Sequence, residues 1–281
     1  MSRSRLFMLV VLTMTAFAGN SLLCRLALRT TQIDAATFTS IRLVCGAVAL
    51  WLIVRLRDQT AVGGGNWISA FALFAYAAAF SYAYLTLPAG TGALLLFGAV
   101  QATMIGWGLW SGERLRPRQI AGLTLAFAGL IGLVLPGMSA PSLAGSLLMA
   151  AAGIAWGVYS LRGRGGGDPT RTTAGNFLRA VPMAASLSLV TLGWASVDGA
   201  GIVYAIASGA LTSGVGYSIW YTALKGLKAT HAATVQLSVP VIAAFGGIVL
   251  LDESISLRLV LAATAILGGI ALVVLSRPGA R

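Results

Sequence analysis

The feature that most constrains this sequence is a series of ten apolar stretches. Each is close to the roughly 20 residues that an α-helix needs to cross a ~30 Å hydrocarbon core. Only 9% of the 281 residues are charged, too few to cover a water-soluble globule. Continuous apolar runs also differ from the short alternating segments of a membrane β-barrel. The sequence therefore predicts an all-α integral membrane protein. We place its ten transmembrane helices near 6–28, 35–54, 67–87, 90–111, 119–135, 144–162, 174–194, 202–224, 232–251 and 257–275.

The net charge of +12 follows from a one-sided distribution of Lys and Arg. With a cytoplasmic N-terminus, three of these residues lie at outer ends or loops (Arg25, Arg29 and Arg258), and Arg42 lies within a span. This positive-inside bias predicts that both termini are cytoplasmic, and it accounts for the charge without nucleic acid. The fifteen residues on the inner side are Arg3, Arg5, Arg55, Arg57, Arg114, Arg116, Arg118, Arg162, Arg164, Arg171, Arg179, Lys225, Lys228, Arg277 and Arg281.

The two halves of the chain resemble each other. With a shift of 140 residues, the stretch 82–134 lies over 222–274, and Glu113 falls on Glu253. Sequence identity is low, but the hydropathy and the charged positions agree, which favours an internal repeat.

Because each half holds five spans, an odd number, the second repeat crosses the membrane in the opposite orientation. Inverted repeats are typical of alternating-access carriers that bind substrate near the midplane, although common ancestry without mechanistic consequence is the alternative. We divide the chain into 1–140 and 141–281. The start of the chain also resembles a secretory signal with a cleavage site at 16–18. We expect it to be retained, because its removal would unbalance the two repeats.

Several motifs, taken in order, resemble those of EamA-type members of the drug/metabolite transporter superfamily. The resemblance covers essentially the whole chain and is greatest to the YddG-type exporters of aromatic amino acids in the bacterial inner membrane. It implies ten helices, two inverted repeats and a central cavity lined by the first, third, fourth, sixth, eighth and ninth spans. The motifs are IRLV at 41–44, LPAGTGALL at 87–95, GERLRPRQIAG at 112–122, SGVGYSIWYTALK at 213–225, KATHAATVQLSVPV at 228–241 and LDESISL at 251–257.

The resemblance also implies that the fifth and tenth spans lie at the periphery. The residues support this independently. The fifth span carries Gly122, Ala126 and Gly129, and the tenth carries Gly268 and Gly269, with no charge in either. Small residues at this spacing allow close helix packing in lipid, so we expect these spans to form a scaffold.

Polar and aromatic side chains within the spans are candidates for substrate contact. Aromatic rings stack on aromatic or amphipathic solutes, attract ammonium groups through their faces and can hydrogen-bond a carboxylate through their polar tips. A polar side chain at midspan can instead bond a neighbouring helix, so helix packing is the alternative for these residues. The candidate substrate-binding residues are Asn20, Tyr82, Gln101, Trp156, Tyr159, Tyr217 and Gln236.

In the earlier part of each half the shift becomes 137 residues, and Arg42 then falls on Arg179. Both arginines lie several residues inside a span. An arginine at that depth needs water, a partner or a path to the surface. We predict that Arg42 pairs with the acidic end at 252–253 and Arg179 with Glu113, each pair bracing one side of the cavity. Capping of helix carbonyls is the alternative. Pro240 is a candidate kink or hinge in the ninth span.

Asp and Glu lie only in loops or at span ends, and the single histidine, His231, begins the ninth span. A proton-coupled cation pump normally uses an intramembrane carboxylate, so we do not expect one here. No metal-ligand cluster is present, and no cofactor is expected. An intramembrane protease would need two buried Asp or a Ser–His pair, so we do not expect an enzyme.

The sequence thus predicts a secondary transporter of small organic solutes that exports amino acids with aromatic preference across the bacterial inner membrane. An exporter of amphipathic drugs or quaternary amines is the alternative within transport. A channel or an intramembrane enzyme is a remote one. The expected partners are the small-molecule substrate and the lipid bilayer, and the protein is expected to be a monomer or homodimer.

Overall fold

A computed structural model of the protein describes residues 2–58, 64–112, 114–137, 140–163, 168–224, 226–227 and 235–275. These residues form helices and contain no strand, which confirms the all-α class. The helices are α1 (Arg3–Thr30), α2 (Ala35–Asp58), α3 (Trp67–Tyr84), α4 (Ala89–Trp110), α5 (Pro117–Val134), α6 (Leu143–Arg162), α7 (Pro169–Val190), α8 (Gly199–Leu224), α9 (Ser238–Leu251) and α10 (Leu257–Leu275).

Eight helices of the described part of the chain are long and apolar enough to cross a membrane. Helix α9 is apolar but shorter, and α7 is not among the eight. The polar residues of α7, including Arg171, Asn176 and Arg179, lower its hydropathy. The ten-span arrangement and the inverted repeat therefore remain predictions.

Helix starts coincide with side chains that satisfy free backbone donors. Asn66 caps α3 by accepting from Ser69 N at 2.9 Å, and Asp168 caps α7 by accepting from Thr170 N at 2.9 Å. Pro169 follows as the first residue of α7, where no backbone donor is lost. This cap explains why α7 begins five residues before the predicted span at 174–194.

Helix α5 packs chiefly on α10 and touches α4 only slightly. A Cβ added to Gly269 would lie 2.4 Å from the carbonyl oxygen of Gly122, so only hydrogen fits at this crossing. The predicted close packing of small residues between the fifth and tenth spans is confirmed. The remaining helices surround the site described next.

Candidate substrate cavity

A small cavity lies between α1, α3, α4, α6 and α8. Its wall is mainly aromatic. The described residues of α9, which the resemblance placed in the lining, do not contribute to it. The lining residues are Phe17, Asn20, Ser21, Tyr76, Phe80, Leu96, Phe97, Trp156, Thr212 and Tyr217.

Trp156 of α6 is the centre of the aromatic wall. Its ring centroid lies 4.9 Å from that of Tyr76 on α3 and 5.1 Å from that of Tyr217 on α8. Tyr159 stacks behind it at 5.4 Å with an interplanar angle of 30°. The indole is therefore held by rings from three helices, and half-buried Trp156 still lines the cavity.

Asn20 of α1 joins the polar side of the cavity. Its Nδ2 donates to the Tyr76 hydroxyl oxygen at 3.2 Å. Its Oδ1 accepts from Ser208 Oγ at 2.8 Å and from Thr212 Oγ1 at 3.3 Å. These bonds connect α1 to α3 and α8, and they fix the amide at the cavity wall.

Arg42 of α2 lies behind this wall and is 2% exposed. Its Nη2 donates to the Tyr76 hydroxyl oxygen at 3.0 Å, and its Nε lies 3.5 Å from Ser213 Oγ. The guanidinium carbon is 5.2 Å from the ring centroid of Tyr76 and 5.0 Å from that of Phe80. Its Nη1 is buried and has no hydrogen-bond partner among the described residues.

The geometry of α8 brings three hydroxyl-bearing residues to this region. The segment Ala207–Val215 within α8 is a π-helix, a widened form that is frequent at functional sites. It carries Ser208, Thr212 and Ser213, which bond Asn20 or Arg42. A Cβ at Gly209 would lie 2.3 Å from the Arg42 carbonyl oxygen, so this glycine allows α8 to pack directly on α2.

The predicted pairing of Arg42 with the acidic end at 252–253 is wrong. Glu253 instead binds Arg25 of α1, with 3.1 Å between Oε1 and Nε, and its Oε2 accepts from Ala89 N at 2.8 Å. Arg42 lies seven residues, about 10 Å, inside α2 and is too deep for a carboxylate that follows the end of a helix. Arg25 lies only five residues before the end of α1 and is at the same depth as Glu253.

Comparisons of sequence relate one part of the chain to a known family and the whole chain to a bacterial protein. The sequence pattern of the EamA-like transporter family matches residues 143–275. An uncharacterized protein of Pseudomonas aeruginosa is 56% identical over 276 residues, which cover 98% of this chain and 96% of that protein. The chain therefore carries an EamA-like transporter domain over residues 143–275. It is a multi-pass membrane protein with a domain of a family that transports small solutes.

More distant matches to the EamA-like chain agree with this result. An uncharacterized transporter of Archaeoglobus fulgidus is 27% identical over 168 residues, 57% of each protein. A chain in a solved crystal structure matches with a TM-score of 0.65 and 19% identity, and the match covers 98% of both chains. At this identity the structural match shows a shared fold alone.

Three of the predicted substrate-binding residues of the EamA-like chain, Asn20, Trp156 and Tyr217, line one cavity. Tyr159 lies directly behind it. Tyr82 is half-buried on α3 and is not part of the lining.

Gln101 and Gln236 lie outside the central cavity. Gln101 is 5% exposed, and it lines a separate, mostly apolar pocket between α4, α5 and α10. Gln236 lies two residues before α9. Neither residue contributes to the aromatic wall.

The remaining gating candidates are Arg179, Glu113 and Pro240. Arg179 donates to the carbonyl oxygens of Gly64 at 2.6 Å and Gly175 at 2.9 Å, the carbonyl-capping role named as the alternative. Its predicted partner Glu113 lies outside the described residues. Pro240 is the third residue of α9, so it lies in the first helical turn and does not kink the helix at midspan.

The sequence interpretation missed Tyr76 and Phe80, which form the α3 side of the cavity. Tyr76, Phe80 and Tyr84 recur every four residues and therefore lie on one helix face, with successive ring centroids 5.4 and 4.7 Å apart. This four-residue spacing was the sequence feature that could have identified Tyr76 and Phe80. Among the described residues, no cluster of three or more metal-ligating side chains occurs.

Proposed function

We propose that this EamA-like protein is an alternating-access carrier that exports amino acids with an aromatic preference across the bacterial inner membrane, with both termini in the cytoplasm. The aromatic cavity around Trp156 is the observation that carries the proposal. There the ring centroid of Trp156 lies 4.9 Å from that of Tyr76 and 5.1 Å from that of Tyr217. An aromatic side chain gains about 0.5–1.5 kcal/mol from each such ring contact beyond the burial of its area.

Contacts at both ends of the bundle support a carrier rather than a channel. At the end where α1 and α9 finish, Arg25 binds Glu253 and donates to the Tyr84 carbonyl oxygen at 2.8 Å. At the opposite end, Arg162 of α6 donates to Ser69 Oγ of α3 at 3.1 Å. A carrier opens one end at a time, so breaking one set of contacts while keeping the other suits this mechanism.

Two inverted five-helix repeats, 1–140 and 141–281, are part of the proposal. The family match over residues 143–275 supports this division, because it lies wholly within the second half. In this mechanism the cavity between the halves is exposed to each side of the membrane in turn.

Counterflow in proteoliposomes tests the proposal. Vesicles loaded with unlabelled tryptophan should accumulate labelled tryptophan in a saturable manner, and a lipophilic quaternary amine should not replace it. We expect flux to persist after the proton gradient is dissipated, because the described lining residues include no Asp or Glu. Linear, non-saturating flux would indicate a channel. Counterflow of the amine but not of tryptophan would favour the drug-exporter alternative, for which the aromatic ring faces are also suited.

Trp156→Ala identifies the site within the same assay. Loss of the indole should weaken apparent tryptophan affinity by about 1–3 kcal/mol. Trp110→Ala is the matched control, because Trp110 is 84% exposed at the end of α4 and should leave affinity unchanged. Equal affinity in the wild type and Trp156→Ala would place the substrate elsewhere.

A further inference from the structure

We propose that Arg42 and the Tyr76 hydroxyl bind a carboxylate group of the substrate, so that the cavity accepts carboxylate-bearing solutes and rejects amines that lack one. The inference rests on the proposed transport function and adds the chemical class of the substrate. It also separates the two transport alternatives, because amino acids carry this group and quaternary amines do not.

The positive charge of Arg42 has no counterion among the described residues. Arg42 is buried, and no described carboxylate lies within ion-pair distance of it. An uncompensated buried cation is strongly unfavourable, and removal from water is offset only by an anion with good hydrogen bonds. The described acids serve other positions: Asp34, Asp168 and Asp198 bond backbone donors at helix starts, Asp252 is exposed, and Glu253 binds Arg25.

Arg42 and the Tyr76 hydroxyl also offer hydrogen-bond donors to a ligand. Arg42 Nη1 has no partner among the described residues. The Tyr76 hydroxyl oxygen already accepts from Arg42 Nη2 and from Asn20 Nδ2. Both acceptor positions of the phenol are thus occupied, which leaves its own hydrogen to donate. Two donors beside one positive charge match the two oxygens of a carboxylate.

Arg42 also lies next to the cavity. Tyr76 and Phe80 line the cavity, and the guanidinium carbon lies 5.2 and 5.0 Å from their ring centroids. The guanidinium therefore lies against two of the rings that line the cavity. Because the protein interior screens charge poorly, Arg42 attracts an anionic group in the cavity and repels a cationic one. A single guanidinium also suits a monoanion better than a phosphate dianion.

Together these features define an oriented ligand. The carboxylate lies toward Tyr76 and Asn20, and an aromatic side chain lies against Trp156 and Tyr217, which form the adjacent wall. The ammonium group of an amino acid can face the remaining aromatic surface. A buried donor left open in the empty cavity is thereby satisfied when the substrate binds.

Ligand-induced thermal stabilisation of the full-length protein in detergent tests this inference without requiring transport. The ligands are tryptophan, indole-3-propionate (carboxylate without amine) and tryptamine (amine without carboxylate), with leucine as a non-aromatic carboxylate. We expect tryptophan and indole-3-propionate to raise the unfolding midpoint of the wild type in a saturable manner and tryptamine to have no effect.

Substitutions of Arg42 and Arg179 form a matched pair, since both arginines lie within helices and only Arg42 adjoins the cavity. Arg42→Met should weaken indole-3-propionate binding roughly 10- to 100-fold, the range for loss of a charge-assisted hydrogen bond. Arg179→Met should leave the preference for indole-3-propionate over tryptamine unchanged. Without ligand, Arg42→Met should unfold at or above the wild-type midpoint, because an uncompensated buried charge has been removed. A purely structural arginine would instead give a lower midpoint.

Milder variants keep the test decisive if Arg42→Met does not fold. Arg42→Lys keeps the charge but loses the planar pair of donors, and Tyr76→Phe removes only the hydroxyl. Both should weaken carboxylate binding more than they change the unliganded midpoint. The inference is overturned if tryptamine binds the wild type as tightly as indole-3-propionate, if the Arg42 and Tyr76 variants bind carboxylates normally, or if the wild type binds no carboxylate.

The outcomes also separate this inference from the proposed function. Arg42-dependent binding of leucine without any binding of indole compounds would remove the aromatic preference and keep the carboxylate site. Equal binding of tryptophan and tryptamine, with tryptophan counterflow intact, would keep the transport function and remove the carboxylate site.

Discussion

The α5–α10 crossing is built from small residues, whereas the central cavity is built from large ones. At the crossing, Gly122 and Gly269 bring two backbones together and leave no room for a methyl group. Around the cavity, large rings such as Trp156 and Tyr217 and a buried arginine enclose empty space. Close backbone contact leaves no room for a ligand, whereas open space beside an unsatisfied donor leaves a place that a ligand can fill. The same sequence thus separates support from recognition along different helices.

The largest effect should come from filling the crossing. In Gly269→Ala the new methyl would lie 2.4 Å from the Gly122 carbonyl oxygen and 2.7 Å from Ala126 N, so the backbones must separate. We expect a loss of about 3 kcal/mol in the free energy of unfolding, the upper part of the overpacking range. Gly268→Ala is the control, because a Cβ there meets no atom within 4 Å. Thermal unfolding in detergent measures both, and equal midpoints would show that the crossing is not tightly packed.

A smaller effect should come from the ion pair that joins α1 to the end of α9. Glu253→Gln removes the charge opposite Arg25, whose side chain is 13% exposed. We expect a loss of about 2 kcal/mol, the value of a charged hydrogen bond in a mostly buried setting. Because this contact lies at one end of the bundle, Glu253→Gln should also change the transport rate. Gly269→Ala should change the rate only by destabilising the protein. An unchanged unfolding midpoint together with unchanged flux would contradict the assignment.

Asn20 allows a finer comparison within the cavity. Asn20→Ala removes bonds to Tyr76, Ser208 and Thr212, and we expect about 1 kcal/mol of lost substrate affinity. Thr222→Ala is the control, because its hydroxyl bonds only the Ser218 carbonyl oxygen within α8. Apparent affinity in counterflow measures the difference. Identical affinities for the two variants would mean that the Asn20 network does not organise the cavity.

The smallest effect concerns Asp34, in the turn between α1 and α2. Burial raises the pKa of its carboxyl, but hydrogen bonds from Thr37, Ser196 and Ala36 outweigh this and leave the pKa below its usual value. A lowered folded-state pKa contributes stability that is present above the unfolded-state value of about 3.9 and is lost as pH falls through the folded value. Asp34→Asn should therefore reduce the fall in unfolding midpoint below about pH 4. The same fall in both proteins would exclude this contribution.

The sequence could predict much of this molecule because lipid imposes simple rules. Apolar length indicated most of the helices, and the small residues of the fifth and tenth spans indicated their close packing. Arg42 stood out because charge is rare within a span. The sequence could not identify its neighbours, since pairing depends on how far each helix is displaced and rotated relative to the next. The period of Tyr76, Phe80 and Tyr84 showed a common face, but not which helix that face meets.

The sequence by itself therefore determined the helical class, the scaffold glycines and the presence of a buried cation and several midspan aromatic residues. Only the tertiary structure decided that Trp156 lies between Tyr76 and Tyr217, that Glu253 binds Arg25, and that Arg42 retains an unpaired donor. The π-helical turn of α8 illustrates the reason. It changes the angular position of every later residue on that helix, and it packs against α2, a contact between residues far apart in the sequence.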